Sequence, residues 1–124
     1  MAATWARVET LDPQREALAV AARSAAEPVP WRNAFAGDRV SVIAEVKRRS
    51  PSAGAIAPGL DPVAHATAYV AGGAAAVSVL TEPIFFGGTM DDLELIRGAV
   101  SVPILRKDFI LDPVQLHEAR MARF

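Results

Sequence analysis

The sequence alternates short, almost continuously apolar runs with longer stretches of helical composition. The apolar runs are rich in β-branched residues and cover residues 40–46, 75–80 and 102–106. Runs of this length are typical of buried strands, and their continuous apolarity favours parallel strands that are covered on both faces. Strands that alternate with helices predict an α/β fold, with right-handed crossovers between parallel strands.

Three Asp-Pro pairs, at 12–13, 61–62 and 112–113, mark where helices are predicted to begin. Asp is a good N-cap, and proline has the backbone angle of the first helical position. The predicted helices cover about 13–26, 62–71 and 113 onward. A fourth, over about 90–100, follows Thr89, because Thr89 and Asp92 have the spacing of a capping box.

The loops that follow the first two strands, 47–60 and 81–89, are long, whereas the opposite turns are short. Long loops at the carboxyl ends of strands mark the functional face of βα folds. A (β/α)8 TIM barrel needs roughly 250 residues, so 124 residues leave two possibilities, a small open sheet or a piece of a barrel. The piece would comprise a helical extension over 1–39 and three βα units of an incomplete barrel over 40–124.

Composition narrows the class of protein. A net charge of −1 argues against a strongly basic nucleic-acid-binding domain. No apolar run reaches the ~18 residues of a membrane span, and the N-terminus lacks the pattern of a secretory signal. The absence of cysteine excludes disulfides and thiol-ligated metals, and no histidine pair has the spacing of metal ligands. We therefore predict a cytoplasmic protein with no metal site and no nucleic-acid or membrane partner.

Lysine is rare in this chain, since eleven of the thirteen basic residues are arginine and only Lys47 and Lys107 are lysine. Arginine cannot replace an ammonium group that must give up a proton. Because side chains alternate along a strand, Glu45 and Lys47 share a face at the end of the first strand. Closure into a barrel would gather at one mouth five residues: Glu45, Lys47, Ser78, Leu80 and Lys107. The alternative is a surface ion pair of Glu45 and Lys47, which would contribute little.

Three segments resemble the indole-3-glycerol phosphate synthases. They are Ile-Ala-Glu-Val-Lys-Arg-Arg-Ser-Pro-Ser at 43–52, Ser-Val-Leu-Thr-Glu with Phe-Phe-Gly-Gly over 78–88, and Pro-Ile-Leu-Arg-Lys-Asp-Phe-Ile-Leu-Asp-Pro at 103–113. The segments come in the order and spacing of that family. The resemblance covers about residues 40–120, and residues 1–39 match only loosely, as the variable helical extension.

The resemblance implies a (β/α)8 carboxy-lyase of tryptophan biosynthesis that needs no metal or organic cofactor. The family closes the indole ring of 1-(2-carboxyphenylamino)-1-deoxyribulose 5-phosphate and releases carbon dioxide and water. It implies that Lys107 is the general acid of ring closure. Lys47 would contact the anionic groups of the substrate and act as an acid in dehydration, with Glu45 holding it. Further substrate contacts are implied for the loop residues Ser50 and Pro51 and for a wall of Ser78, Leu80, Phe86 and Phe109.

The family's general base, a glutamate on a later strand, and its phosphate-binding loops have no counterpart in this chain. The chain stops within a predicted helix, so we expect a truncated, frame-shifted or incomplete sequence that is inactive alone. Two alternatives stay open. One is another phosphate-binding barrel, such as phosphoribosylanthranilate isomerase, although its chemistry uses a cysteine. The other is a non-enzymatic fragment that self-associates through the two unpaired edges of a three-stranded sheet.

Overall fold

The computed structural model describes residues 2–123. Its helices are α1 (Ala2–Leu11), α2 (Arg15–Ser24), α3 (Trp31–Ala34), α4 (Pro62–Ala71), α5 (Met90–Ala99) and α6 (Pro113–Met121). Its strands are β1 (Ile43–Val46), β2 (Arg49–Ser50), β3 (Gly54–Ala55), β4 (Ala76–Leu80) and β5 (Ile104–Lys107). None of the helices within residues 2–123 has the length and apolarity needed to cross a membrane.

The main sheet has three parallel strands in the order β1-β4-β5. Glu45 is paired with Ser78, and Leu80 is paired with Lys107. The strands β2 and β3 form a separate antiparallel hairpin within the loop after β1. The prediction of an α/β fold with parallel strands is confirmed, and the strand order is that of the first three units of a (β/α)8 barrel.

The chain divides into two compact units, and the sheet belongs to the second, residues 29–108. Helices α4 and α5 contact each other within this unit. Its core is apolar and almost fully buried, and it includes Ala66, Val77, Val79, Leu93 and Ile96. The start of α4 is fixed by Asp61, whose carboxylate accepts from the N–H groups of Val63 and Ala64 at 2.9 and 3.0 Å.

One face of the sheet is only partly covered. All of β4 is buried, but Ile43 on β1 is 48% exposed and Leu105 on β5 is 44% exposed. The expectation that the strands are covered on both faces is therefore correct for β4 and wrong for β1 and β5. The physical reason is that the central strand has a neighbour on each side, whereas within residues 2–123 nothing buries the outer part of this face.

The first unit comprises residues 1–28 and 109–124, and its described part contains α1, α2 and α6. Val8, Leu18 and Val114, one from each helix, form its core. Ion pairs connect the same helices, with Arg7 to Glu118 at 2.9 Å among them. The division of the chain at residue 39 stays a prediction.

Several predicted boundaries are wrong. The helix predicted over 13–26 begins at Arg15, because residues 12–14 form a short 3-10 turn. The Asp12 carboxylate binds the Arg15 side chain at 2.8 Å and does not cap the helix. Helix α6 ends at Met121 and does not run on as predicted; residue 124 lies outside the described residues. The helices α1 and α3 lie within the predicted helical extension but had no predicted bounds, because Ala2 and Trp31 follow Met and Pro and no strong capping residue. The β2–β3 hairpin was not predicted.

Candidate active site

Glu45 bridges the two lysines of the chain. Its Oε1 atom accepts from Nζ of Lys47 at 2.7 Å, and its Oε2 atom accepts from Nζ of Lys107 at 2.8 Å. The carboxylate side chain is 27% exposed, so solvent reaches the cluster but does not surround it. The predicted convergence of the three residues at the carboxyl end of the strands is present in the structure.

The register of the sheet explains why these side chains meet. Glu45 and Ser78 lie side by side, as do Leu80 and Lys107, and side chains two residues apart on a strand share a face. The strand β4 separates β1 from β5, and two strand spacings amount to roughly 9.6 Å. Long glutamate and lysine side chains span that distance above β4.

The cluster keeps Glu45 ionised. Partial burial raises the pKa of Glu45, but the hydrogen bonds from Lys107 and Lys47 outweigh that effect, and the pKa lies below its ordinary value. An ionised carboxylate between two ammonium groups fixes where each Nζ atom lies and leaves each ammonium with protons to donate. The arrangement suits acid catalysis on a substrate that approaches the open face.

Ser78 and Leu80 lie on β4 in register with Glu45 and Lys107, and they are 5% and 4% exposed. The Ser78 hydroxyl is buried and has no hydrogen-bond partner among the described residues. Buried polar groups are usually paired, so the hydroxyl of Ser78 is a group that a bound molecule could satisfy.

Ser50 and Pro51 lie on the β2–β3 hairpin that follows Lys47. The Ser50 hydroxyl accepts from the N–H of Ala53 at 3.1 Å, and Pro51 is exposed at the turn. Both residues therefore lie in the loop that follows β1, and their contact with the substrate stays a prediction.

Glu82 shapes the loop that carries Phe86. Its carboxylate accepts from the N–H groups of Ile84, Phe85 and Phe86 at 3.1, 2.6 and 3.2 Å, although Glu82 itself is 3% exposed. Phe86 is partly buried in this loop. A buried carboxylate surrounded by three N–H groups imposes one loop conformation, because each unmade bond would leave a desolvated charge.

Phe109 lies two residues after β5, and it belongs to the first unit. It is 40% exposed, and its carbonyl accepts from Nε2 of Gln115 at 2.9 Å. Its predicted place in the substrate wall stays a prediction.

Two side chains that shape the candidate site, those of Glu82 and Arg48, were not predicted from the sequence. Glu82 is distinguished there only by its place after the second strand, and Arg48 only by its place after Lys47. Asp92 was recognised as a capping residue, but its ion pair with Arg48 (Nη1 to Oδ2, 2.5 Å) was not foreseen. No group of three or more histidine, aspartate or glutamate side chains within residues 2–123 is arranged to hold a metal ion.

Comparison with known proteins agrees with this architecture. A sequence model of the family "Indole-3-glycerol phosphate synthase" matches residues 2–123. The chain belongs to the indole-3-glycerol phosphate synthase family. Membership in this family accounts for the three segments on which the resemblance rested.

Curated relatives with the name indole-3-glycerol phosphate synthase are about half identical to this chain. The protein of Leifsonia xyli subsp. xyli is 54% identical over 107 residues, which are 86% of this chain and 41% of that protein. The protein of Parafrankia sp. is 50% identical over 120 residues, which are 97% of this chain and 40% of that protein. That of Mycobacterium ulcerans is 53% identical over 100 residues, or 81% of this chain and 37% of that protein. The chain therefore spans about two fifths of the length of these synthases.

Proposed function

We propose that this chain contributes the first part of the active site of an indole-3-glycerol phosphate synthase that works in the cytoplasm. The substrate would be 1-(2-carboxyphenylamino)-1-deoxyribulose 5-phosphate, and the products indole-3-glycerol phosphate, carbon dioxide and water. The observation that carries the proposal is the double ion pair of Glu45 with Lys47 and Lys107, at 2.7 and 2.8 Å.

Ring closure forms a carbon–carbon bond between the ring carbon that bears the carboxylate and the carbonyl carbon of the ribulose chain. The carbonyl oxygen gains negative charge as the bond forms, and Lys107 gives it a proton. Loss of carbon dioxide then restores the aromatic ring. Lys47 binds the anionic groups of the substrate and protonates the hydroxyl that leaves as water, while Glu45 holds both ammonium groups in place. The methylene carbon beside the nitrogen then gives its proton to a general base, which the resemblance places on a later strand of the barrel.

The remaining predicted residues would enclose the substrate. Ser78 and Leu80 form the floor, Phe86 and Phe109 the wall beside the aromatic ring, and Ser50 and Pro51 the loop side. An apolar floor with a few convergent polar groups is the usual composition of a small-molecule site. Fixed orientation of the reacting carbons can supply ~7–11 kcal/mol of the barrier reduction, which requires the whole enclosure.

The test is an assay for indole-3-glycerol phosphate with the 124-residue chain alone and with the C-terminal remainder of the Leifsonia xyli relative supplied as a second chain. We expect no turnover by the chain alone and measurable turnover by the pair. Lys107→Met should abolish that turnover, whereas Arg39→Met, which removes a positive charge from an exposed residue, should not. Turnover that survives Lys107→Met would refute the proposal.

We propose as a second candidate that the isolated chain self-associates through its sheet. The edges of β1 and β5 have no strand partner among the described residues, and Ile43 and Leu105 are half-exposed beside them. Unpaired edges are templates for pairing with another chain. Sedimentation velocity should then show dimers or larger species whose share grows with concentration, and a stable monomer at high concentration would contradict this.

A further inference from the structure

Arg48 and Asp92 form a two-pronged ion pair that joins two parts of the second unit. Nη1 of Arg48 donates to Oδ2 of Asp92 at 2.5 Å, and Nη2 donates to Oδ1 at 2.9 Å. Arg48 directly follows Lys47, and Asp92 lies in the first turn of α5. The two side chains are only 22% and 10% exposed, so solvent screens the pair little.

Asp92 also caps α5, but the cap does not account for its whole carboxylate. Oδ2 accepts from the N–H of Thr89 at 3.1 Å, and the Thr89 hydroxyl accepts from the N–H of Asp92 at 3.1 Å. A cap needs one acceptor oxygen and no net charge, since asparagine and glutamine also serve. The second oxygen, Oδ1, binds Arg48.

Arg48 also forms hydrogen bonds at the base of the β2–β3 hairpin and to the loop after β4. Its carbonyl accepts from the N–H groups of Ile56 and Ala57, both at 2.9 Å, and this closes the base of the hairpin that carries Ser50 and Pro51. Its guanidinium also donates to the carbonyl of Gly87 at 3.2 Å, in the loop that carries Phe86. One arginine therefore connects the hairpin, the loop after β4 and helix α5.

The loop after β4 also approaches the hairpin closely at Gly87, where a Cβ atom would lie 3.3 Å from Cδ of Arg49 and 3.7 Å from Cβ of Arg48. Beside this approach is an open cavity of about 470 Å³, lined by Arg48, Arg49, Gly54, Ala55, Pro58 and Gly87. The lining contains little apolar side-chain surface that could hold the hairpin by packing alone, so the polar bonds of Arg48 contribute to holding it in place.

We propose that Asp92 is a positioning residue of the active site. It holds Arg48 and, through the chain, keeps Lys47 and the hairpin beside the loop of Phe86. Its effect on catalysis rests on the proposed function, whereas its effect on the hairpin does not. Partial burial raises the pKa of Asp92, but the bonds from Arg48 and Thr89 outweigh it and lower that pKa, so the carboxylate is charged at neutral pH.

Hydrogen exchange of the 124-residue chain, read by mass spectrometry, tests the effect on the hairpin. Asp92→Asn keeps an acceptor for the cap and removes the charge. We expect hydrogen exchange in the peptide that covers residues 48–57 to become about tenfold faster, because the charge-assisted bonds between Arg48 and Asp92 are lost. Thr89→Ala is the matched control, because it weakens the cap and leaves the ion pair; it should accelerate exchange only at the start of α5.

Arg48→Gln is the second variant, because it breaks the pair and leaves the cap of α5 intact. It should accelerate exchange in 48–57 as much as Asp92→Asn does, and the double variant should add little to either. The inference is overturned if neither single variant accelerates exchange in 48–57, or if Thr89→Ala does so equally.

The two-chain enzyme supplies the catalytic readout. Asp92→Asn should raise the KM for the ribulose phosphate about tenfold and change kcat less than KM, since Lys47 is displaced while Lys107 stays in place. An unchanged KM would overturn the positioning role. Turnover that persists in Lys107→Met would instead refute the proposed function, and the exchange result would be unaffected.

Discussion

Replacement of Gly88 with alanine should destabilise this protein by about 3 kcal/mol. A Cβ atom at Gly88 would lie 1.8 Å from the carbonyl oxygen of Leu80 and 3.0 Å from Cα of Thr81. Carbon contacts need roughly 3.5–4.0 Å, so the loop or the end of β4 must move by more than an ångström. The strand end cannot yield easily, because Thr81 is fully buried and its N–H donates to the carbonyl of Lys107 at 3.1 Å.

The expected loss of stability in Gly88→Ala has two sources. Overpacking against fixed backbone costs about 1–3 kcal/mol. Displacement of the loop also breaks the bond from the N–H of Gly88 to the carbonyl of Glu82, 3.0 Å long, which contributes about 1 kcal/mol. The same movement would carry Phe86 away from its place in the candidate site.

Urea unfolding followed by far-UV circular dichroism measures the effect. Gly98→Ala is the matched control, because Gly98 lies in α5 and a Cβ there would meet no atom within 4 Å. Alanine is the better helix former, so this control should be stabilised by up to about 1 kcal/mol. If Gly88→Ala unfolds at the same urea concentration as the unaltered chain, the close approach to Leu80 does not constrain the loop.

Two further predictions concern a charge and a helix cap. The pKa of Glu45 is lowered in the folded chain. Above its unfolded pKa of about 4.3, Glu45 therefore stabilises the fold relative to the Glu45→Gln variant. This difference in stability disappears as the pH falls through the lower folded pKa. Urea unfolding of both proteins at neutral and acidic pH checks this, and a stability difference independent of pH would contradict it. Asp61→Ala removes the acceptor for Val63 and should cost about 1 kcal/mol by the same assay, whereas Asp38→Ala, at an exposed loop residue, should cost much less. Equal losses in the two variants would show that the Asp61 cap contributes nothing specific.

Much of the second unit could be predicted because its signals are local. Asp61 and Thr89 each mark a helix start by bonds to N–H groups only two or three residues away, and the helices begin there. The shared face of Glu45 and Lys47 follows from the alternation of side chains along one strand. The rarity of lysine distinguishes Lys107 from the eleven arginines by residue type alone.

Local sequence signals did not predict the correct helix starts where the same residues can adopt several conformations. Asp12-Pro13 has the composition of a helix start, but the Asp12 carboxylate binds Arg15 and the helix begins three residues later than Asp12. No strong capping residue precedes Ala2 in the printed sequence, so the start of α1 had no local signal, and the helix is stabilised by tertiary contacts such as the burial of Val8 with Leu18 and Val114.

The sequence by itself determined the alternation of strands and helices and the family, and it singled out the two lysines that are proposed as acids, because these depend on short-range patterns and on residue type. Only the tertiary structure decided that one carboxylate, Glu45, binds both lysines, and that Arg48 is tied to Asp92. The pairs Glu45–Lys107 and Arg48–Asp92 join residues 62 and 44 positions apart in the chain, and their geometry is set by strand order, register and loop closure. Many sequences with the same local pattern could pair such charges differently, so the choice belongs to the packed fold.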